Sequence, residues 1–488
     1  MKKSFILSLL IATACLSVNA QTAEDALRYS RVFYSGTARF NGLSGASGAV
    51  GLDISTFATN PAGIGLYKNS EATITLAPAF SNTSSSYNGN NSSDFTGNMG
   101  LGNAGVVLNL NPLGKNSSGS VKSINVGIAF NRQNDFNNRI VIHGVNNTNS
   151  MMQGYVNTLN GSSEYIAPAS LQDNYPFDIG LAYNTNLLGY DPVSKLYYCD
   201  APVGGVIQDK TITTSGSMNE LDLSVGGSLE DKLFLGMTLG ISSINYVESS
   251  IYSETRADTS IHNFYSFNYR YDLHTRGTGV NLKLGLIYIP ANWIRLGASI
   301  HTPTWYPNMR DEWYSSMRST FSDSTNWSGA QDSPIGTYDY QMLTPFRAMG
   351  SLAFVFGRIG LISADYEYVD YSRARFNSTD DNFTDVNNQI KSSYQSWGTV
   401  RIGTEWKISN FRLRGGCAYY SDPYKSEQNK SDRIQVSGGI GYRGKHYFAD
   451  LAYVWTKMNQ DYYLYDLANP APVTYKTSSL LATIGFRF

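Results

Sequence analysis

The feature that most constrains this chain is a period-two alternation of apolar and polar residues, recurring from Glu71 to the last residue. In Val400-Arg-Ile-Gly-Thr-Glu-Trp-Lys-Ile408 the residues at 400, 402, 406 and 408 are apolar, while 401, 405 and 407 are charged. Phe411 and Leu413 alternate with Arg412 and Arg414, and Leu221, Leu223 and Val225 with Glu220, Asp222 and Ser224. Ile124, Val126, Ile128 and Phe130 alternate with Asn125, Gly127, Ala129 and Asn131. Successive side chains of a strand point to opposite faces, so each run reads as a strand with one apolar and one wet face.

A soluble sandwich would show the same alternation, and the connections separate the two cases. Short turns at 112–120, 230–231, 290–292, 357–358, 409–410 and 443–446 alternate with long polar loops near 88–98, 146–218, 251–268, 306–338, 377–395, 421–431 and 466–472. One short set alternating strictly with one long set is the pattern of a transmembrane barrel. Six turns and seven loops require fourteen strands, expected near 71–87, 99–111, 121–145, 219–229, 232–250, 269–289, 293–305, 339–356, 359–376, 396–408, 411–420, 432–442, 447–465 and 473–488. Gln133-Asn-Asp-Phe-Asn-Asn138 is poor strand material. It is read as a kink within the third strand, since two separate strands would leave the odd number that a barrel with both ends on one side does not allow.

The ends agree. Met1-Lys2-Lys3, an apolar run from Phe5 to Leu16 and Val18-Asn19-Ala20 describe a secretory signal peptide over 1–20, cut before Gln21. A lipoprotein reading through Cys15 is disfavoured by Ala12 three residues before it. At the other end Leu480, Ala482, Ile484, Phe486 and Phe488 share one face, resembling the terminal signal that outer-membrane barrels present to their assembly machinery. Composition fits: 35 Tyr, 22 Phe, 7 Trp and 45 Gly with only 15% charged residues suit aromatic girdles and close packing. A formal net charge of −1 gives no electrostatic case for nucleic acid. Cys199 and Cys417 allow one disulfide bridge or none.

Ahead of the strands lies Gly36 to Tyr67, GTARFNGLSGASGAVGLDISTFATNPAGIGLY, rich in glycine and poor in large apolar groups. It is too glycine-rich for a stable helix and too small-sided for a core of its own, so it reads as a plug packed inside the barrel. Asn60-Pro61-Ala62-Gly63 reads as a tight turn. This stretch, followed directly by Glu71-Ala-Thr-Ile-Thr-Leu76, resembles the N-terminal hatch of the FadL/TodX-type outer-membrane transporters, with Asn60-Pro61-Ala62 matching the family's Asn-Pro-Ala motif. The resemblance implies an all-β fold: a 14-stranded antiparallel barrel (71–488) in the bacterial outer membrane around a hatch (21–70). It also implies passive uptake of hydrophobic compounds such as long-chain fatty acids or aromatic hydrocarbons, with an internal apolar pocket and lateral exit at a kinked third strand.

On that reading Asn134, Asp135, Phe136 and Asn137 would form the lateral opening, with an ordinary bulge as the alternative. Phe33, Tyr34, Phe40 and Phe57 are the bulky hatch groups able to touch ligand or to fix the plug to the wall. Met151, Met152, Tyr155 and Leu159 in the long loop would line an outer capture groove or pack on one another. Asn60 is expected to bond backbone near the turn. Arg401, Glu405, Arg412, Arg414 and Asp450 are expected as a charged ladder holding the plug, with Arg412 or Arg414 the alternative receiver of a carboxylate.

No metal spacing links the five histidines, no H-E-x-x-H or G-x-S-x-G occurs, and Gly100-Leu-Gly-Asn-Ala-Gly105 leads into a strand rather than a helix. The chain is therefore read as a non-enzyme without cofactor or metal, a monomer whose partners are a hydrophobic small molecule, outer-membrane lipid and lipopolysaccharide, and the barrel-assembly machinery. A haem-binding or adhesive surface barrel without transport is the competing reading.

Overall fold

The structure, a computed structural model, describes residues 21–110, 121–199, 201, 204–258, 263–322, 328–379, 381–426, 429 and 431–488. The signal peptide expected at 1–20 and the turn expected at 112–120 lie outside these residues. What is described is a closed antiparallel barrel of fourteen strands with residues 21–70 inside it. In chain order the strands are β1 (Glu71–Leu76 and Ala79–Tyr87), β2 (Asn90–Asn98 and Leu101–Leu110), β3 (Val121–Asp135 and Asn138–Asn146), β4 (Val206–Leu229) and β5 (Leu233–Arg256). They continue as β6 (Phe264–Ala291), β7 (Ile294–His301 and Trp305–Phe321), β8 (Ala330–Asp332, Gly336–Leu343 and Arg347–Phe356), β9 (Gly360–Asp370 and Arg375–Asn377) and β10 (Ser396–Ile408). The last four are β11 (Phe411–Tyr420), β12 (Arg433–Arg443), β13 (Tyr447–Tyr463) and β14 (Pro470–Arg487). Each pairs with its neighbours in sequence, and β1 closes the ring by pairing β2 on one edge and β14 on the other, with Glu71 opposite both Val107 and Arg487.

Closure leaves no sheet edge in the apolar zone, and the alternation read from sequence becomes an outside and an inside. On β5 the outward Leu235, Met237 and Leu239 stand opposite Leu286, Leu284 and Leu282 of β6. The apolar run ends at Ile241 and Val280, and beyond it the outward residues are Ser243 and Asn245 facing Thr278 and Arg276. With Leu233, β5 has five outward apolar residues spread over nine positions, matching the ~9–11 residues a tilted strand needs to cross a bilayer. At the short-turn end of this belt the rings of Trp293 and Phe354, Phe356 and Trp406, and Phe411 and Tyr442 lie against one another, forming an aromatic girdle.

Several boundaries differ from expectation. Residues 90–98 are not a loop but the outer part of β2, joined to β1 by Asn88-Gly89, both with positive φ (46° and 84°) as a two-residue hairpin turn demands. The loop expected over 146–218 ends where β4 begins at Val206; β4, β5 and β6 run 24, 24 and 28 residues, and the outer stretch of β7 runs 17. The outer parts of these strands lie above the apolar belt, so their outward faces are polar and read as loop. Within the shortened loop, α3 (Met151–Gly161), α4 (Leu171–Asn174), α5 (Ile179–Asn184) and a small hairpin (Leu188–Asp191 with Leu196–Cys199) fold across the barrel mouth. Cys199 belongs to that cap and Cys417 to the membrane belt, so they form no bridge.

Candidate functional site

The hatch is built from short pieces because glycine and proline allow nothing longer. α1 (Ala23–Ser30) starts at a capping box in which Thr22 and Asp25 exchange hydrogen bonds. α2 (Ala38–Gly42) is capped by Thr37, and two 3₁₀ turns, Ile54–Ala58 and Pro61–Leu66, follow. Asn60 caps the second turn: its Oδ1 accepts from the Ala62 amide at 3.1 Å, and its Nδ2 donates to Gly48 O at 2.7 Å and to Leu286 O of β6 at 3.1 Å. The Asn-Pro-Ala motif thus ties two parts of the hatch to each other and to the wall.

The hatch glycines are half of a packing device, and glycines of the wall are the other half. A Cβ at Gly236 would stand 2.1 Å from Pro61 O, one at Gly297 2.7 Å from Gly48 O, and one at Gly416 2.5 Å from Leu43 C. At these three places the hatch backbone presses on the barrel and the strand supplies glycine. Read along a strand, these residues look only like weak strand positions.

Ion pairs complete the fastening. Arg39 of α2 pairs with Glu405 at 3.0 Å, Glu405 with Arg414 at 2.6 Å, and Asp450 with both Arg414 at 2.7 Å and Arg443 at 2.8 Å. Higher in the lumen Glu367 joins Arg347 and Arg401, at 2.9 and 2.6 Å, and Arg347 also donates to the Ser30 carbonyl. The expected ladder is therefore present, except that Arg412 turns to the carbonyls of Ser409 and Phe411. Arg39, Arg347, Arg443 and Glu367 join it unforeseen, Arg39 from a segment 366 positions away from Glu405 and Arg443 from the end of β12, just before the turn into β13.

Among the described residues, two large cavities flank the hatch. That at the short-turn end, about 910 Å³, is lined by charged groups including Arg39, Asp53, Arg295, Arg412 and Arg487. The other, about 500 Å³, is lined by Leu27, Arg31, Phe33 and Tyr34 of the hatch, by Asn134, Asp135, Phe136 and Asn137, and by Tyr246, Tyr424, Arg433, Tyr462 and Tyr475 of the wall. Two of the four hatch aromatics, Phe33 and Tyr34, thus face this cavity together with the third-strand break. Phe40 and Phe57 do not line it: Phe40 is buried beside Gly45, and Phe57 beside Gly127 in a cluster with Ile54 and Ile64. Met151, Met152 and Leu159 are buried in the cap core with Tyr252, Phe267 and Met317, and Tyr155 packs against it.

The break in β3 is real and local. Both halves of β3 pair with β4, and the ladder shifts between Arg132 and Asn134. Phe136 leaves the wall and sets its ring edge-on to Tyr246 at 5.3 Å. Asp135 organises the bend, accepting from Asn98, Arg132 and Asn137. Two further features mark the place. The hatch pairs there with the wall, Phe33 N donating to Gln133 O at 2.7 Å and Ser35 N to Arg132 O at 2.9 Å. Beyond the break, among the described residues, no backbone ladder joins the outer halves of β2 and β3. Instead hydroxyls of β1 bridge to β3, with Thr83 donating to Arg139 O and Ser85 to Val141 O.

One group in this cavity stands out. Arg433 stacks over the Phe33 ring at 4.0 Å and faces Tyr420 at 5.4 Å, while its buried Nε has no hydrogen-bond partner among the described residues. Nearby burial pushes the Tyr34 hydroxyl far above the ordinary tyrosine value, so Tyr34 stays neutral. The cavity thus mixes aromatic rings with charged groups, Arg28, Arg31, Arg132 and Arg433 against Glu24, Asp135, Glu248 and Asp461.

No family model matches the sequence. No curated protein matches it in sequence. Solved structures do match in fold. A Pseudomonas aeruginosa FadL homologue aligns over 93% of this chain and 98% of its own, with a TM-score of 0.55 and 14% identity. The P. putida toluene transporter TodX aligns over the same shares, with a TM-score of 0.54 and 12% identity. At these identities the likeness is one of fold: this chain is a fourteen-stranded antiparallel barrel with the architecture of the FadL and TodX structures.

Proposed function

We propose that this protein sits in the bacterial outer membrane and lets hydrophobic or amphiphilic small molecules cross it passively. The observation that carries the reading is the cavity between the hatch and the third-strand break, inside a barrel with an outward apolar belt. An apolar solute gains nothing from a water-filled pore and needs an aromatic-lined site followed by an exit into the membrane. Capture would begin at the cap. The ligand would lodge against Phe33 and Tyr34, and release would proceed sideways beside Asn134–Asn137, where side-chain hydroxyls rather than a backbone ladder close the wall. Arg433 favours an amphiphile with an anionic group over a bare hydrocarbon, since a guanidinium whose buried Nε has no partner among the described residues pairs well with a carboxylate.

The first experiment is mass spectrometry of small molecules extracted from the detergent-purified protein, followed by binding of a radiolabelled fatty acid and of toluene. Retained or bound apolar ligand supports the reading. A protein that is empty and binds neither overturns it in favour of an adhesive or structural barrel, and a retained porphyrin would point to haem capture. Deleting residues 36–63 should abolish uptake in a transporter and leave surface adhesion intact in an adhesin.

A further inference from the structure

Signal-peptide cleavage is expected before Gln21, and the structure places Gln21 deep in the lumen, 1% exposed. Hydrolysis of the Ala20–Gln21 peptide adds water across the bond, leaving a carboxylate on Ala20 and a free amine on Gln21. That amine is protonated at neutral pH, its ordinary pKa being about 7.7–8.0. A buried ammonium needs an anion, all the more here, because it immediately precedes Thr22, the N-cap of α1, where the helix already presents positive charge.

The anion is in place. Asp311 of β7 is 3% exposed, and its carboxylate accepts from Gln21 Nε2 at 2.8 Å and from the Tyr340 hydroxyl at 3.3 Å. Among the described residues, no Arg, Lys or His lies within ion-pair distance of it. The groups facing this corner sharpen the imbalance. From α1 come Glu24, Asp25 and Arg28, from β5 Glu248 and Tyr246, from β6 Tyr271, and from β8 Tyr340. Arg28 is already held by Asp25 and lies over the Tyr246 ring at 4.5 Å. The helix α6 (Thr384–Ser393), packed against α1, buries Val386 and Ile390 and keeps Asp385 and Lys391 exposed. Glu24, Asp25 and Glu248 thus share the one guanidinium of Arg28, and Asp311 has no part in it.

We propose that Asp311 receives the α-ammonium of Gln21, so that removal of the signal peptide itself creates the ion pair that locks α1 into the barrel. The inference rests on cleavage before Gln21 and is independent of what the barrel carries. Uncleaved chain lacks that charge.

The test uses full-length protein purified from the outer membrane. Intact mass and N-terminal sequencing establish the first residue. Hydrogen exchange of the α1 amides is then followed from pH 6.5 to 9.5 in wild type, Asp311→Asn and Gln21→Ala. A paired amine has its folded pKa raised, so its stabilisation is complete below about pH 7.7 and is lost as pH rises through the raised value. Wild type and Gln21→Ala, which keeps the amine, should both lose protection at alkaline pH. Asp311→Asn should lose it already at pH 7, at least tenfold, and show no alkaline step. Should Asp311→Asn fail to fold, one alanine inserted before Gln21, which displaces the amine, should reproduce the loss with Asp311 intact. A chain that begins elsewhere sinks the premise. An alkaline step that persists in Asp311→Asn, or an inserted alanine without effect, overturns the pairing.

Discussion

Replacing Asn60 by alanine should free the hatch without melting the barrel. The Asn60 side chain is fully buried and makes three hydrogen bonds, to the Ala62 amide and to the carbonyls of Gly48 and Leu286. Losing an N-cap costs about 1 kcal/mol, and each lost buried hydrogen bond about 1 kcal/mol more. The sum, about 3 kcal/mol, corresponds to exchange of the hatch amides about 100-fold faster when opening limits exchange. Asn60→Asp is the sharper variant. It keeps the oxygen that caps Ala62 but cannot donate, and it turns a carboxylate onto two carbonyl oxygens, so its effect should equal or exceed that of alanine. The assay is hydrogen exchange read by mass spectrometry, comparing residues 48–66 with the β5–β6 ladder in detergent-solubilised protein. Unchanged hatch exchange in Asn60→Asp would show that the two donated bonds do not hold the hatch and would refute the reasoning.

Four further outcomes are expected. Gly236→Ala, a change in the wall that touches no hatch side chain, puts a methyl where Pro61 O stands; hatch protection should fall at least tenfold while the barrel ladder keeps its own. Arg414→Leu removes a fully buried guanidinium from between Glu405 and Asp450 and should destabilise the barrel by about 3 kcal/mol in urea unfolding. In the cap, burial raises the Asp178 carboxyl above its ordinary value, so the folded state holds the proton more tightly and cap stability falls as pH rises through that range. Asp178→Asn, which still caps α5, should flatten this slope in a pH series of cap proteolysis. Arg433→Leu should weaken binding of a carboxylate ligand at least tenfold and leave binding of an uncharged aromatic within twofold, as measured by ligand titration.

The fold was legible where its cause is local. Alternation along Val400–Ile408 or Leu221–Val225 is dictated by a strand with a polar face toward the lumen and an apolar face outward, so it survives in a single sequence. The break at Gln133–Asn138 was visible because Asn and Asp are poor strand formers wherever they stand. Strand ends were misplaced where the physical contrast fades. The outer halves of β2 and β4 to β7 rise above the apolar belt, where their outward faces turn polar. The apolar residues on the inward faces, such as Tyr252, Phe267 and Met317, belong to the cap core, so the outward half of the alternation that marks a strand is missing.

Taken alone, then, the sequence determined a barrel, its strand number, an internal plug and the position of the kink, since each follows from residue periodicity, turn chemistry or backbone freedom within a few positions. Only the tertiary structure decided which residues work together. Gly236 and Gly285 meet Pro61 and Asn60, Arg39 meets Glu405, Arg433 meets Phe33 and Gln21 meets Asp311. Each pair joins residues well over a hundred positions apart, and closing the barrel around the hatch fixes their distances. No local rule links such residues, because the energy that matters lies in a contact that exists only after the ring has closed.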